Sequence, residues 1–287
     1  GANGTYSQTI TVSTTGNLKF SPTADFNGSI DDVSVKETSG VTDIFQSGHV
    51  GSYWRIKDGG TWGYVEITSI VDNLHANATV KKTLGGVAAV ATWREGAWSG
   101  VRGYPSCCTF HEERLIFGGT SYQPQTLWGS KSADFENFTP EDTITDAGPF
   151  TYTLASDQMN VLRWLISARL LMAGTMSGEW KISGSSVNTP ITPTDISARK
   201  DTSYGSGQVN PLSIGNIRKC IQKYGRKVRE LTYSFADDSY VAPDMAILNE
   251  HITKGGILET TYQKEPDQPL WGIRADGILL SLVYERP

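Results

Sequence analysis

The sequence has few cysteines and no long apolar run. Only three of its 287 residues are cysteines, Cys107, Cys108 and Cys220, and an odd number that includes an adjacent pair gives no disulfide framework. We therefore expect the chain to fold in a reducing cytoplasm. No apolar stretch approaches the roughly 20 residues that span a bilayer, and the first ten residues lack the basic and apolar blocks of a signal peptide. These absences predict a chain without a membrane span.

An excess of basic residues is also missing. The chain carries 25 lysines and arginines against 30 acids, a net charge of −5, so it has no footprint for strong binding to phosphate backbones. One basic cluster stands out and comprises Lys219, Lys223, Arg226, Lys227 and Arg229. It can line a DNA channel or meet an acidic neighbouring subunit, but the solvated edge of a sheet is the favoured interpretation.

Catalytic and metal-binding patterns are scarce as well. The four histidines lie far apart and form no zinc-binding pattern, and no phosphate-binding glycine loop or nucleophile elbow is present. Most carboxylates fall beside glycine, serine or another acid in predicted turns. Spacing leaves open that two of them meet across a central axis, as a glycosidase requires. We predict no cofactor, no metal site and no catalytic residue, and hence a protein that is not an enzyme.

Glycine and aromatic residues are plentiful. Thirty glycines, twelve prolines and 10% aromatic residues suit many short strands joined by turns better than long helices. The sequence therefore predicts an all-β fold, with residues 244–251 as a candidate short helix.

The first 37 residues predict a separate segment. Alternation at 6–12, 17–20 and 30–35 indicates three strands, and they resemble the last strands of a carbohydrate-binding-type jelly-roll module. Three strands cannot form a sandwich alone, so we predict a remnant of such a β-sandwich at 1–37. Because the sequence starts in apparent mid-domain without Met, we expect a fragment of a longer polypeptide. A small β domain is predicted at 38–100.

An internal repeat begins after residue 100. Arg114–Thr120 is echoed by Arg169–Thr175 at an offset of 55 residues, and each copy is followed by a tryptophan and a Gly-Ser element. Weaker echoes follow at 227–238 and 270–279. Repeated strand pairs at such spacing are typical of propeller blades, small sheets that must stack to bury their faces. About four blades of a partial β-propeller fit into 101–287.

Motifs along 41–287 resemble, in the same order, those of the tail tubular protein B or nozzle family of short-tailed bacteriophages and prophages. They are WREGAWS at 93–99, GYP at 103–105, RLIFGGT at 114–120, PQTLWGS at 124–130, FENF at 135–138, GEW at 178–180, YGS at 204–206, GRKVREL at 225–231, APD at 242–244, EHI at 250–252, LW at 270–271 and DGIL at 276–279. Family members contain β-propellers and carry no catalytic motif that could be transferred to this chain.

The resemblance implies a structural role in a virion tail. Such proteins form a ring, sixfold in the family, below the portal and adaptor, contact the fibres, and provide the conduit through which double-stranded DNA leaves. They are assembled in the host cytoplasm. The family continues past the strand matched by 282–284, so we expect this chain to stop inside the propeller.

Six residues are predicted to be structural motif positions: Trp98, Arg114, Trp128, Arg169, Trp180 and Trp271. A second hypothesis rests on five tryptophans, Trp93, Trp98, Trp128, Trp180 and Trp271. Tryptophan faces can stack on sugar rings, so a glycan-binding receptor-recognition module is one alternative and a propeller glycosidase is another. Because these residues lie inside strand motifs, packing within blades is favoured.

Overall fold

The computed structural model describes residues 44–86, 89–156, 160–186, 188–235 and 239–283, together with three strands in the first 34 residues. The chain divides into two compact units, Gly1–Tyr104 and Pro105–Pro287. The boundary predicted after residue 37 lies outside the described residues.

Strands and turns make up the described part of the chain. Its only helical element is a single 3-10 turn, Ser47–His49. The predicted all-β class is therefore confirmed. No helix within the described ranges is long and apolar enough to cross a membrane.

The first unit is built on one six-stranded sheet. Its strands and those of a small ribbon are β1 Ser7–Ile10, β2 Leu18–Lys19, β3 Ser29–Ser34, β4 Tyr53–Asp58, β5 Thr61–Ile70, β6 His75–Lys82, β7 Ala89–Val90 and β8 Trp93–Glu95. The sheet order is β1-β3-β6-β5-β4-β8, and β2 pairs with β7. Strands from the first 34 residues thus pair with strands of the following segment, β3 with β6 and β2 with β7.

Alternation along β4 places aromatic residues in the core of this unit. Trp54 and Ile56 are buried while their neighbours face outward, as the two-residue period of a strand requires. The Trp54 ring stacks on Trp93 with centroids 5.0 Å apart and lies 5.2 Å from Phe45. Such offset aromatic contacts add stabilisation beyond the area they bury.

The second unit consists of four consecutive antiparallel sheets. Sheet 1 contains β9 Cys107–His111, β10 Arg114–Gly118, β11 Thr126–Gly129 and β12 Phe150–Thr153. Sheet 2 contains β13 Leu162–Ser167, β14 Leu171–Thr175, β15 Gly178–Ser183 and β16 Ser197–Thr202. Sheet 3 contains β17 Leu212–Ile214, β18 Ile217–Ile221, β19 Val228–Ser234 and β20 Ser239–Val241, and sheet 4 contains β21 Ile257–Tyr262, β22 Pro269–Arg274 and β23 Leu279–Val283. In every sheet, strands that follow each other in sequence are neighbours.

These four sheets pack face to face in chain order. In sheet 2, Leu165 packs in the apolar cluster shared with sheet 1, whereas its neighbour Trp164 packs in the cluster shared with sheet 3. In sheet 3, Cys220 faces sheet 2 and Ile221 faces sheet 4. Both faces of the two middle sheets are therefore covered by the sheets beside them.

Equivalent strands of the sheets meet each other. The first strands β9 and β13 are in contact, as are the first strands β17 and β21, and the last strands β16 and β20 also meet. Sheets 1 and 2 and sheets 3 and 4 thus meet through their first strands, and sheets 2 and 3 through their last strands.

The helix predicted at 244–251 is wrong. This segment is a series of turns in which the amide of Asn249 donates to the Ala246 carbonyl and the Asp244 carboxylate accepts from the Ala246 amide at 3.0 Å. An aspartate that binds nearby backbone amides offers the chain an alternative to the helix. Ile247 and Leu248 are 66% and 88% exposed, so their side chains do not supply the buried apolar face that stabilises so short a helix.

Candidate functional site

The basic cluster lies on one hairpin of sheet 3. Strands β18 and β19 pair antiparallel, with Lys219 opposite Glu230 and Cys220 opposite Arg229. A turn at Lys223–Lys227 joins them, and Gly225 adopts a positive φ of 75° there, a conformation that favours glycine. The fold therefore brings the five predicted cations onto one hairpin, as their sequence proximity suggests.

Three of the five cations are engaged inside the unit. Lys219 is 2% exposed and its Nζ lies 3.1 Å from Glu230 Oε2. Arg229 donates to the Ala242 carbonyl at 2.8 Å, and its guanidinium lies 3.8 Å from the centroid of the Tyr204 ring. These side chains hold sheet 3 together and are not displayed to a ligand.

Lys227 is the third engaged cation. Its Nζ lies 3.0 Å from Asp244 and 3.2 Å from Glu250. The hydrogen bond to Asp244 raises the pKa of Lys227 above its usual value, and the hydrogen bond to Glu250 raises it further. Its positive charge is therefore neutralised by two acids of the segment that follows β20.

Lys223 and Arg226 differ from the other three cations. Both are exposed, and neither forms an ion pair with any residue that the structure describes. Between them in the turn stands Tyr224, which is 77% exposed, with Lys223 Nζ 5.4 Å from its ring centroid. Two unpaired cations and an uncovered aromatic ring form the accessible part of the cluster, which we call the 223–226 tip.

Two cavities flank the 223–226 tip. One encloses about 300 Å³ between Tyr224, Arg226, Lys227 and Glu250. The second encloses about 350 Å³, and its lining includes Tyr224 and a run of glycines. Sequence analysis singled out the cations but missed Tyr224 and the cavities. The sequence feature that pointed to Tyr224 was its position between Lys223 and the Gly225-Arg226 pair.

Arg114, the first residue of the repeat, is a buried anchor. Its guanidinium donates three hydrogen bonds of 2.6 Å to the carbonyls of Ser130, Asp146 and Gly148. It therefore ties both ends of the 130–148 loop to the start of β10. Arg169, its counterpart in the repeat, is exposed.

We expect Arg114→Lys to lower the free energy of unfolding by about 2 kcal/mol, because an ammonium cannot reach all three carbonyls and hydrogen bonds from charged groups are worth about 1.5–3 kcal/mol each. Urea unfolding measures the change. Arg169→Lys is the matched control: Arg169 donates a single long hydrogen bond to Asn188, so a change within about 0.5 kcal/mol is expected. Equal effects of the two substitutions would contradict the anchoring role.

The motif tryptophans occupy different environments. Trp128 and Trp180 are buried on the third strands of sheets 1 and 2. Trp180 lies opposite Ala173 and packs towards sheet 1, whereas Trp128 lies opposite Phe117, on the other face of its sheet. Trp271 is half-buried on β22, and its Nε1 donates to Gln263. These three tryptophans are packed in sheets.

Trp98 is the remaining motif tryptophan. It lies in the first unit after β8 and is half-buried. No strand includes it, so the structure does not bring it together with the other motif tryptophans on a common sheet.

One contact has the composition of a hydrolase triad. Ser167 Oγ lies 2.9 Å from His111 Nδ1, and His111 Nε2 lies 3.8 Å from Glu112. The second distance is too long for a hydrogen bond, and the Glu112 carboxylate accepts from the Ile191 amide at 2.8 Å. Burial lowers the pKa of His111. His111 belongs to β9 and Ser167 to β13, so their contact joins sheets 1 and 2.

Cys107 and Cys220 are not activated as nucleophiles. All three cysteines are free. Burial raises the pKa of Cys107 to about 12 and raises that of Cys220 as well, and a buried neutral thiol is a poor nucleophile. Within the described residues, no group of three or more His, Cys, Asp or Glu side chains is placed to hold a metal ion.

No protein-family model and no curated protein matches the sequence.

Proposed function

We propose that this chain is a structural component of the tail of a short-tailed bacteriophage, part of the nozzle through which DNA leaves the particle. The observation that carries the proposal is the second unit, four antiparallel sheets stacked in chain order. The motifs from 114–120 onward that resemble the nozzle family lie in these sheets and in the loops of the second unit.

In this proposal the four sheets are successive blades of a β-propeller. First strands meet first strands and last strands meet last strands, as in blades arranged around an axis, where each small sheet buries its faces against its neighbours. Buried motif residues such as Trp128 and Trp180 then act by packing within and between blades.

The proposed mechanism depends on shape and association, without catalysis. Copies associate through heterologous contacts, and a ring closes when every such contact is satisfied. Tail adaptor and fibre proteins are the proposed neighbours, with the ring in the virion tail. A net charge of −5 suits a conduit, because a wall that binds few phosphates releases few counterions and lets DNA slide.

Assembly is the test of this proposal. We expect light scattering to give a mass of several times the 31.3 kDa of one chain, about six times if the ring is sixfold, either for the chain alone or on addition of a purified tail adaptor. Electron microscopy of the same sample should show closed rings with a central opening. The adaptor alone is the control. A chain that stays monomeric with the adaptor present would contradict the nozzle role.

A further inference from the structure

The 223–226 tip stands between two cavities that share one aromatic wall. Tyr224 lines both the cavity of about 300 Å³ and the cavity of about 350 Å³. Volumes of this size lie at the lower end of the range for small-ligand sites. A ligand that extends past the tyrosine can therefore place one ring in each cavity.

The first cavity offers a positive charge beside an apolar surface. Its wall includes the exposed Tyr224, the unpaired Arg226, and Lys227 with its partner Glu250. Lys227 is paired with Glu250 and Asp244, so Arg226 is the cation of this wall that forms no ion pair among the described residues. A guanidinium binds a carboxylate through two parallel hydrogen bonds.

Glycine backbone forms part of the lining of the second cavity. Four glycines line it, Gly207, Gly225, Gly255 and Gly256, with Lys223 at its side. Backbone atoms replace side chains there: a Cβ on Gly225 would lie 3.2 Å from the Ile257 amide nitrogen, tighter than ordinary van der Waals contact. Lys223, a second cation without an ion pair among the described residues, also lines this cavity.

We propose that the two cavities bind an acidic oligosaccharide, with sugar rings on either side of Tyr224 and their carboxylates at Arg226 and Lys223. Sugar rings present C–H faces that stack on an aromatic side chain, and their acid groups need few, fixed cations. Duplex DNA fits less well, because its phosphates lie on a convex rod and its binding relies on many cations, whereas this tip has two. The site is independent of the proposed tail role.

Calorimetric titration of the full chain tests the site, with tri-galacturonate as the probe and maltotriose as its neutral counterpart. We expect tri-galacturonate to bind and maltotriose to bind at least about tenfold more weakly, since the carboxylate contacts are lost. Tyr224→Ala and Arg226→Gln should each weaken tri-galacturonate binding by about tenfold. Both side chains are exposed, so far-ultraviolet circular dichroism should show the fold unchanged.

Matched controls come from other exposed residues of the second unit. Tyr122 is 64% exposed in the loop after β10, and Lys264 is exposed between β21 and β22; neither lines the two cavities. Tyr122→Ala and Lys264→Gln should leave the affinity unchanged. The proposal is overturned if tri-galacturonate does not bind at millimolar concentration, if both tip variants bind like the parent, if maltotriose binds equally well, or if a short oligothymidylate binds more tightly than the sugar.

Discussion

Breaking the buried ion pair of sheet 3 is expected to destabilise the chain by about 4 kcal/mol, the largest effect of any single substitution considered. Lys219 and Glu230 are each 2% exposed, and their charged groups lie 3.1 Å apart. In Lys219→Met the Glu230 carboxylate stays in the interior without its countercharge. The free energy of unfolding in urea, followed by circular dichroism, measures the loss.

The double variant separates the pair from its surroundings. Replacing both residues, Lys219→Met with Glu230→Leu, removes both charges and fills similar space, so we expect it to be less destabilised than either single variant. A coupling energy of about 2 kcal/mol or more from the double-mutant cycle would show that the two charges depend on each other. Additive effects would refute this account of the pair.

Overfilling the contact between Gly174 and Trp164 is expected to cost about 3 kcal/mol. Gly174 lies directly opposite Trp164 in the pairing of β14 with β13, and a Cβ on Gly174 would overlap the indole ring. Trp164 is fully buried, so the ring cannot turn aside without disturbing the cluster shared with sheet 3. Gly174→Ala should lower the urea midpoint by the corresponding amount.

Gly272 provides the matched control for this substitution. It also lies in the middle strand of a sheet, but the nearest atom to its Cβ would be a methyl group of Ile257 at 3.5 Å, an ordinary contact. Gly272→Ala should therefore change the free energy of unfolding by less than about 1 kcal/mol. If both glycines tolerate alanine equally, crowding against Trp164 is not the reason that position 174 requires glycine.

The sequence repeat correctly predicted that the sheets contain equivalent strands. It did not predict whether corresponding side chains are buried or exposed. Ile116 and Leu171, which correspond across the 55-residue offset, are both fully buried in the second strands of their sheets. Arg114 and Arg169 also correspond, yet only Arg114 is buried. The difference arises because the carbonyls that Arg114 binds belong to a long loop after β11, and loop conformation cannot be obtained from strand periodicity.

The basic cluster shows the same limit at the candidate site. Sequence proximity predicted that five cations lie together, and the hairpin brings them together. Which of them are accessible depends on partners distant in sequence, such as Tyr204 for Arg229 and Glu250 for Lys227. The pairing register of β18 with β19 places Lys219 opposite Glu230. Tertiary packing therefore determines which of the five cations are accessible.

Because the four sheets stack in chain order, the effect of local unfolding depends on which sheet unfolds. Among the described residues, the apolar clusters join each sheet to its sequence neighbours, so cooperativity in the second unit is of the nearest-neighbour kind. Fraying of sheet 4 uncovers one face of sheet 3 and leaves sheets 1 and 2 paired. Loss of sheet 2 instead removes two of the three interfaces, leaving sheet 1 alone and sheets 3 and 4 paired. Lesions in an interior sheet thus break two interfaces and separate the ends of the array, whereas lesions in an end sheet break one.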